Sequence, residues 1–197
     1  MTMVERGMTI DLDELTGGSR AVELEIGAGK GRFLLARAEA CPATMFIAVE
    51  IRKKFAGIMA GRAGKRGLLN CLVINDDIRR VYSLWSRRSG MFDSVFIHFP
   101  DPWWKRRHEG RDYFTFDFID EVVRSLKAGG EVFIQTDVFS RAGAILRLLA
   151  EHPGLQNLAR DGGFVESNPT LQKSAREQAC EDLGLPIFRM HFRKKPE

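Results

Sequence analysis

Residues 21–31 of this chain, AVELEIGAGKG, decide its fold. The first five residues form a short run with the composition of a β-strand, and the last five form a glycine-rich turn. A helical pattern follows as far as Glu39. A strand, a glycine-rich turn and a helix in this order are typical of the first unit of a doubly wound α/β sheet.

The rest of the chain repeats this alternation. Helices are predicted from Arg52 onward, over residues 114–127 with a stop at Gly129 and Gly130, and over residues 140–150, followed by a loop-rich section. Four of the predicted strands are apolar enough to be buried on both faces, which predicts an open, mostly parallel α/β sheet with helices on both faces. The further strands are predicted at residues 45–50, 71–75, 94–99, 131–136 and 187–192.

Length and composition are those of one folded domain over residues 1–197, with a short N-terminal segment at 1–18. A hydrophobic content of 44% and a charged content of 28% exclude disordered and fibrous classes. Three cysteines without a CxxC pair argue against a disulfide framework and a zinc ribbon. We see neither a signal peptide nor an apolar run of the roughly 20 residues that cross a bilayer. These features predict a cytoplasmic protein without a metal, whose state as monomer or homodimer stays open.

Carboxylates stand at the carboxyl ends of successive predicted strands. The alternative explanation for any single acid is that acids are poor strand formers and therefore often end strands. Five in succession instead indicate one site, because parallel strands present their carboxyl ends at the edge where such sheets bind ligands. The five are Glu25, Glu50, Asp77, Asp101 and Asp137.

The glycine turn indicates which ligand this edge binds. Gly27, Gly29 and Gly31 allow the backbone to approach a ligand closely. A dinucleotide site requires a small residue where Arg32 stands, and the Gly-Lys-Ser or Gly-Lys-Thr of a phosphate-binding P-loop is missing. A nucleoside without a pyrophosphate fits this turn, which makes S-adenosylmethionine the candidate cofactor.

Each acid is expected to contact a different part of the candidate cofactor. Glu50 can accept hydrogen bonds from both ribose hydroxyls. Asp76 or Asp77 can accept from the adenine amino group, and Glu25 can face the cationic methionine end.

Residues 99–108, FPDPWWKRRH, form the second informative stretch. Two prolines fix the backbone around Asp101, and two tryptophans precede a cationic run that contains Lys105, Arg107 and His108. A basic run is often only a solvated surface. Aromatic rings stack nucleobases and cations bind phosphates, so at the mouth of a cofactor crevice this stretch predicts a nucleic-acid-binding loop.

The sequence resembles the tRNA (guanine-N7)-methyltransferases over nearly its whole length. The resemblance rests on Leu-Glu-Ile-Gly at 24–27, Phe-Pro-Asp-Pro-Trp at 99–103, Thr-Asp at 136–137, and Ser-Ala-Arg-Glu at 174–177. Gly110 and Asp112 stand where the family carries more basic residues, which predicts a weaker grip on phosphate.

The resemblance implies a Rossmann-like class I methyltransferase fold with an antiparallel last strand and substrate recognition within residues 166–197. It implies cofactor contacts at Glu25, Glu50, Asp77 and Asp101, with Asp101 also catalytic. The substrate would be a guanosine in the variable loop of tRNA. Its implied tRNA or guanine contacts are Lys105, Asp137 and residues 174–177, which include Ser174, Arg176 and Glu177.

Guanine N7 has a lone pair and no proton, so methyl transfer to it needs no base. We expect Asp101 to align the reactants, and Asp137 and Glu177 to accept hydrogen bonds from guanine N1 and N2. Two alternatives stay open: a methyltransferase for another nucleobase, and an S-adenosylmethionine-binding RNA-binding protein without turnover. His98 lies in an apolar strand and is interpreted as a core histidine.

Overall fold

The computed structural model describes residues 2–8, 21–85, 88–100 and 114–196. Helices and strands alternate through most of this part of the chain. The helices are α1 (Arg32–Ala40), α2 (Lys53–Lys65), α3 (Ile78–Leu84), α4 (Phe116–Ser125), α5 (Phe139–Glu151) and α6 (Ala175–Asp182). The strands are β1 (Thr2–Val4), β2 (Val22–Ile26), β3 (Met45–Val49), β4 (Cys71–Ile74), β5 (Phe92–His98), β6 (Leu126–Thr136), β7 (Leu155–Asn157) and β8 (Phe188–Lys194).

The strands form one sheet in the order β1-β4-β3-β2-β5-β6-β8-β7. Neighbours from β1 to β6 are parallel, whereas β8 runs antiparallel to both β6 and β7. The predicted fold class is therefore confirmed, including the antiparallel last strand. The strand order reverses between β2 and β5, and at such a switch point the carboxyl ends of the strands open a crevice.

Apolar residues bury both faces of the sheet. In β3 all five residues are buried, as the continuous apolar run predicts for a central parallel strand. One face packs against α3, α4 and α5 around Trp85 and Phe118, and part of the other packs against α1 and α2 around Leu34 and Met59. These layers fix the strand ends that carry the predicted acids.

Two sequence predictions are wrong. The glycine pair does not end α4: the helix stops at Ser125, and Gly129 and Gly130 lie inside β6. A Cβ on Gly130 would lie 2.9 Å from the Lys127 carbonyl oxygen and 3.1 Å from that of Phe92, so glycine is needed for a close backbone approach. The section predicted as loop-rich contains β7 and α6.

Hydrophobic periodicity does not predict the helix α6, because only two of its residues are buried. A local signal for it exists in the sequence. Ser174 and Glu177 form a capping box, in which each side chain accepts from the other's backbone N–H. The serine-x-x-glutamate spacing therefore marks a helix start. In the part of the chain described here, no helix is both long and apolar enough for a membrane span.

Candidate functional site

Two adjoining cavities open at the carboxyl ends of the central strands. The first has a volume of about 350 Å³ and the second about 710 Å³. Residues common to both walls make the cavities two lobes of one crevice. These common residues are Gly27, Arg52, His98, Phe99 and Pro100.

The first cavity combines an apolar wall with acidic groups. Ile26, Val49, Ile51 and Ile78 supply apolar surface from the ends of β2 and β3 and from the start of α3. Glu50, Asp76 and Asp77 line the same cavity. An apolar slot with a few converging polar groups is typical of small-molecule sites.

Glu50 joins the glycine turn to the end of β3. Its Oε2 accepts from the backbone N–H of Gly29 at 2.8 Å, and its Oε1 accepts from that of Arg52 at 2.8 Å. The side chain is buried and also pairs with the Arg52 guanidinium at 3.4 Å. Each carboxylate oxygen can accept more than one hydrogen bond, so Glu50 can bind a ligand hydroxyl while holding both turns.

Asp76 and Asp77 follow Asn75, the first residue after β4, and both are ion-paired. Asp76 accepts from Arg80 Nε at 2.9 Å and faces Arg6 Nε at 3.2 Å. Asp77 caps α3 by accepting from the Arg79 backbone N–H at 3.0 Å, and the hydrogen bond from the Arg79 side chain lowers its pKa. The Asp77 side chain keeps 17% of its surface exposed, against 5% for Asp76, so it offers more surface to a ligand.

The three glycines of the turn have different surroundings. All three have positive φ angles, 75°, 58° and 75° for Gly27, Gly29 and Gly31. Nothing lies within 4 Å of a Cβ built on Gly27 or Gly29, and both line the cavities. A Cβ on Gly31 would lie 2.5 Å from Met59 Cγ. Gly31 therefore permits α1 to pack against α2, and its predicted contact with a cofactor stays a prediction.

Glu25 and His98 form a buried pair at the floor of the crevice. Glu25 Oε1 lies 2.9 Å from His98 Nδ1, which can only donate to an ionised carboxylate. Among the described residues, neither Glu25 Oε2 nor His98 Nε2 has a hydrogen-bond partner, and both atoms are buried. Burial raises the pKa of the Glu25 carboxyl, and the hydrogen bond from His98 offsets part of this rise. Two such atoms at a cavity wall make Glu25 and His98 candidates for contact with a ligand.

The wall of the second cavity brings residues from distant parts of the chain together. Asp137 follows β6, and Arg176 in α6 donates to it from Nε at 3.1 Å. The hydrogen bond to Asp137 raises the pKa of Arg176 above its ordinary value. Ser174 lines the same wall, but its hydroxyl already accepts from the Glu177 backbone N–H as the helix cap.

Glu177 lies behind this wall and is fully buried. Arg189 Nη2 donates to its Oε1 at 3.2 Å, and Gln135 Nε2 donates to its Oε2 at 2.9 Å. Asn168 Nδ2 donates to both oxygens, at 3.2 and 3.0 Å. These donors occupy the carboxylate, so the guanine contact that the resemblance implies for Glu177 stays a prediction and requires some of these bonds to be exchanged.

The described residues that precede the catalytic candidate lie at the boundary between the two lobes. Phe99 has a φ of 49°, the one positive value for a non-glycine residue among those described. Strained backbone of this kind is concentrated at functional sites. Pro100 lines both cavities. Four of the predicted site residues fall outside the described part of the chain: Asp101, Lys105, Arg107 and His108.

Two site residues were not identified as such from the sequence. The interpretation of His98 as a core histidine is confirmed for its packing, because it is buried and its ring contacts Phe33, Phe96 and Phe133. His98 also pairs with Glu25 and lines both cavities, which its sequence context does not predict. Arg52 lines both cavities and holds Glu50. The signal for His98 was its position at the end of β5, one residue from the strained turn. A metal site does not form part of this arrangement: among the described residues, no group of three His, Cys, Asp or Glu side chains could hold an ion.

Comparisons with known proteins give the family of this chain. The sequence profile of a family described as "Putative methyltransferase" matches residues 19–190. A tRNA (guanine-N(7)-)-methyltransferase of Anaeromyxobacter dehalogenans (strain 2CP-C) is 36% identical over 88% of this chain and 85% of its own length. Another of that name from Pseudomonas putida (strain W619) is 33% identical over 94% of this chain and 77% of its own length.

Similar folds occur among solved structures of lower sequence identity. The aminoglycoside resistance methyltransferase NpmB1 superposes with a TM-score of 0.62 at 17% identity, covering 93% of this chain and 91% of that one. TrmN from Thermus thermophilus gives a TM-score of 0.61 at 19% identity over 93% of this chain and 47% of its own. At this identity the likeness concerns the fold alone.

Proposed function

This chain belongs to the tRNA (guanine-N7)-methyltransferase family, and on that premise we propose that it transfers a methyl group from S-adenosylmethionine to N7 of a guanosine in the variable loop of tRNA. The observation that carries the proposal is the two-lobed crevice at the switch point of the sheet. The first lobe has apolar residues to contact a base and carboxylates to accept from a ribose and an amino group. The second lobe is lined by Asp137 and by several lysines and arginines, among them Arg176.

The residues of the first lobe fit S-adenosylmethionine. Glu50 is buried beside the apolar wall, where a carboxylate can bind ribose hydroxyls. Asp76 and Asp77 stand at the end of β4 as acceptors for an adenine amino group. Glu25 Oε2 is buried without a partner among the described residues, so an ammonium group of the ligand would satisfy it. Gly27 and Gly29 leave open space above the turn.

The second lobe fits a guanosine. Guanine carries N–H donors at N1 and N2, and Asp137 presents a carboxylate to this lobe. Adenine lacks this pair of donors, so it would leave the carboxylate partly unpaired, at a cost of about 1–3 kcal/mol. Arg176 holds the Asp137 carboxylate in one orientation. We assign Glu177 a positioning role, because it is buried and holds Asn168, Gln135 and Arg189 behind this wall.

The chemistry asks little of the protein beyond alignment. The bound cofactor supplies a methyl group on a positively charged sulfur. Guanine N7 attacks with its own lone pair and carries no proton, so a general base has nothing to remove. His98, Phe99 and Pro100 border both lobes, and Asp101 follows Pro100 in the sequence. We infer that Asp101 holds the reactants in line and stabilises the positive charge that develops on the purine.

The first test is methyl transfer itself. Protein, labelled S-adenosylmethionine and unmodified tRNA are incubated together, and the tRNA is digested to nucleosides. We expect 7-methylguanosine in the variable loop. A different methylated base would contradict the guanine assignment, and RNA binding without any methylated product would favour a binding protein without turnover.

The second test concerns recognition of guanine. We expect Asp137→Asn to reduce kcat/KM for tRNA by about 10–100-fold, because a charged acceptor is lost, while the Kd of the cofactor stays unchanged. Asp117→Asn, at an exposed position in the first turn of α4, is the matched control. Equal rates for both variants would exclude Asp137 from guanine binding.

The same proposal places the enzyme with tRNA in the cytoplasm, as a monomer or a homodimer.

A further inference from the structure

The second cavity is bordered by far more positive than negative charge. Its lining contains two carboxylates, Glu25 and Asp137. Six cations line the same cavity: Lys30, Arg32, Arg52, Arg62, Arg66 and Arg176. This surplus is local, since the whole chain has a net charge of only +4.

Three of these six cations have carboxylate partners. Arg52 pairs with Glu50, Arg66 with Glu39, and Arg176 with Asp137. We call the other three, Lys30, Arg32 and Arg62, the cationic rim. Within residues 2–8, 21–85, 88–100 and 114–196, none of the three has a carboxylate at ion-pair distance.

Contacts at the glycine turn hold two residues of the cationic rim, Lys30 and Arg62. Arg62 Nη1 donates to the backbone carbonyl oxygen of Lys30 at 3.1 Å, which joins α2 to the glycine turn. The Lys30 ammonium lies 5.5 Å from the centroid of the Phe55 ring, and the same ring contacts the Arg52 guanidinium at 4.3 Å. All three rim residues are exposed, and cations that line one cavity without carboxylate partners repel one another. An anionic partner would remove that repulsion.

We propose that the cationic rim binds phosphates of the tRNA backbone beside the second cavity. This inference rests on the proposed function and adds the surface that receives the nucleic acid. The rim lies on the side of β2 and β3, and Asp137 lies at the end of β6, so the two border the cavity from different sides. A guanosine bound at Asp137 has a phosphate on each side along its strand, and exposed lysines and arginines are the usual partners of such phosphates.

The rim adds positive charge to that of the cationic run after Trp104. Gly110 and Asp112 dilute the cationic run after Trp104 that was predicted to bind phosphate. A carboxylate at the amino acid end of the cofactor is the other anion expected near the glycine turn. One carboxylate does not need three exposed cations, whereas a polyanion neutralises all of them.

The test compares two double variants that remove equal charge. Arg32→Ala/Arg62→Ala removes two rim cations, and Arg147→Ala/Arg160→Ala removes two exposed arginines that line none of the three cavities. Both pairs change the net charge of the chain from +4 to +2. Binding of unmodified tRNA is measured by fluorescence anisotropy at several salt concentrations between about 50 and 200 mM.

We expect the rim variant to bind tRNA about tenfold more weakly. The magnitude of the slope of log K against log salt should fall by about two, one for each phosphate that no longer has a cationic partner. The Arg147→Ala/Arg160→Ala control should keep the slope of the wild type. Arg32→Lys/Arg62→Lys keeps the charge and should restore most of the binding.

Two results would overturn the proposal. One is an equal change in both alanine variants, which would reflect net charge alone. The other is unchanged tRNA binding with a raised cofactor Kd, which would assign the rim to the cofactor. Binding is measured without methyl transfer, so a wild type that binds tRNA but makes no 7-methylguanosine would refute the proposed function and leave the rim testable.

Discussion

Glu25 is the residue at which stability and function oppose each other. It lies in β2, where burial raises its pKa, and its Oε2 has no hydrogen-bond partner among the described residues. A buried carboxylate in this state destabilises the fold whenever it is ionised. This free-energy cost occurs at a position where a cationic group of the ligand would pair with the carboxylate.

Replacing Glu25 by glutamine should therefore separate the two effects. We expect Glu25→Gln to raise the free energy of unfolding at neutral pH by about 1 kcal/mol, or about 2–4 °C in Tm, because the amide has no charge to bury. The same variant should weaken binding of S-adenosylmethionine about tenfold or more, since a charged hydrogen bond is lost. Thermal unfolding and calorimetric titration measure both.

The sign of the pH dependence follows from the raised pKa. A raised pKa in the folded state means that Glu25 favours folding below the usual glutamate pKa of about 4.3, and this contribution disappears as pH rises through the folded value. The stability gain of Glu25→Gln should accordingly grow from acid to neutral pH. Glu23→Gln, on the same strand but paired with Arg37, is the control and should lower stability without affecting cofactor binding. A Glu25→Gln variant less stable than the wild type at neutral pH would contradict this account.

At the scale of elements, the junction of β2, α1 and α2 depends on Gly31. The residue combines a φ of 75° with a contact in which an added Cβ would meet Met59 Cγ at 2.5 Å. Two different penalties therefore fall on any side chain placed there.

We expect Gly31→Ala to lower the free energy of unfolding by about 2–4 kcal/mol, combining the left-handed backbone penalty with overpacking against α2. Gly67→Ala separates the two, because Gly67 has a φ of 66° and nothing within 4 Å of an added Cβ. That control should cost only the backbone term, about 1–2 kcal/mol. Chemical denaturation of both variants gives the difference, and equal losses would show that the Met59 contact is unimportant.

At the scale of the whole molecule, one buried network ties the C-terminal part of the chain to the sheet. Glu177 in α6 is bonded to Gln135 in β6, to Asn168, and to Arg189 in β8. The wall of the second cavity rests on this network, because Ser174 caps the same helix and Arg176 holds Asp137.

We expect Arg189→Met to destabilise the protein by about 3–5 kcal/mol, since it leaves the fully buried Glu177 carboxylate without its cation. Arg193→Met on the same strand breaks the more exposed pair with Glu131 and should cost about 1 kcal/mol or less. Denaturant unfolding measures both free energies.

The Glu177→Gln variant then distinguishes a positioning role from direct contact with guanine. A positioning role predicts a loss of stability together with a raised KM for tRNA. A raised KM at wild-type stability would support the direct contact that the family resemblance implies.

The fold class and the family were predictable from the sequence because both depend on local patterns. Alternating apolar runs and helical periods indicate a parallel α/β sheet before any particular contact between distant residues is known. The glycine turn and residues 99–103 are contiguous motifs, and the strand-end positions of Glu50 and Asp137 follow from strand direction alone.

Tertiary structure decided the rest, because the remaining features depend on contacts between distant residues. Periodicity along one segment does not reveal that Glu25 meets His98, that Glu177 is enclosed by Arg189 and its other donors, or that Arg62 reaches the carbonyl of Lys30. The sequence does not distinguish a carboxylate that faces a cavity from one that faces a buried guanidinium. Only the packing of α6 against the sheet separates Asp137, open to the crevice, from Glu177, sealed behind it.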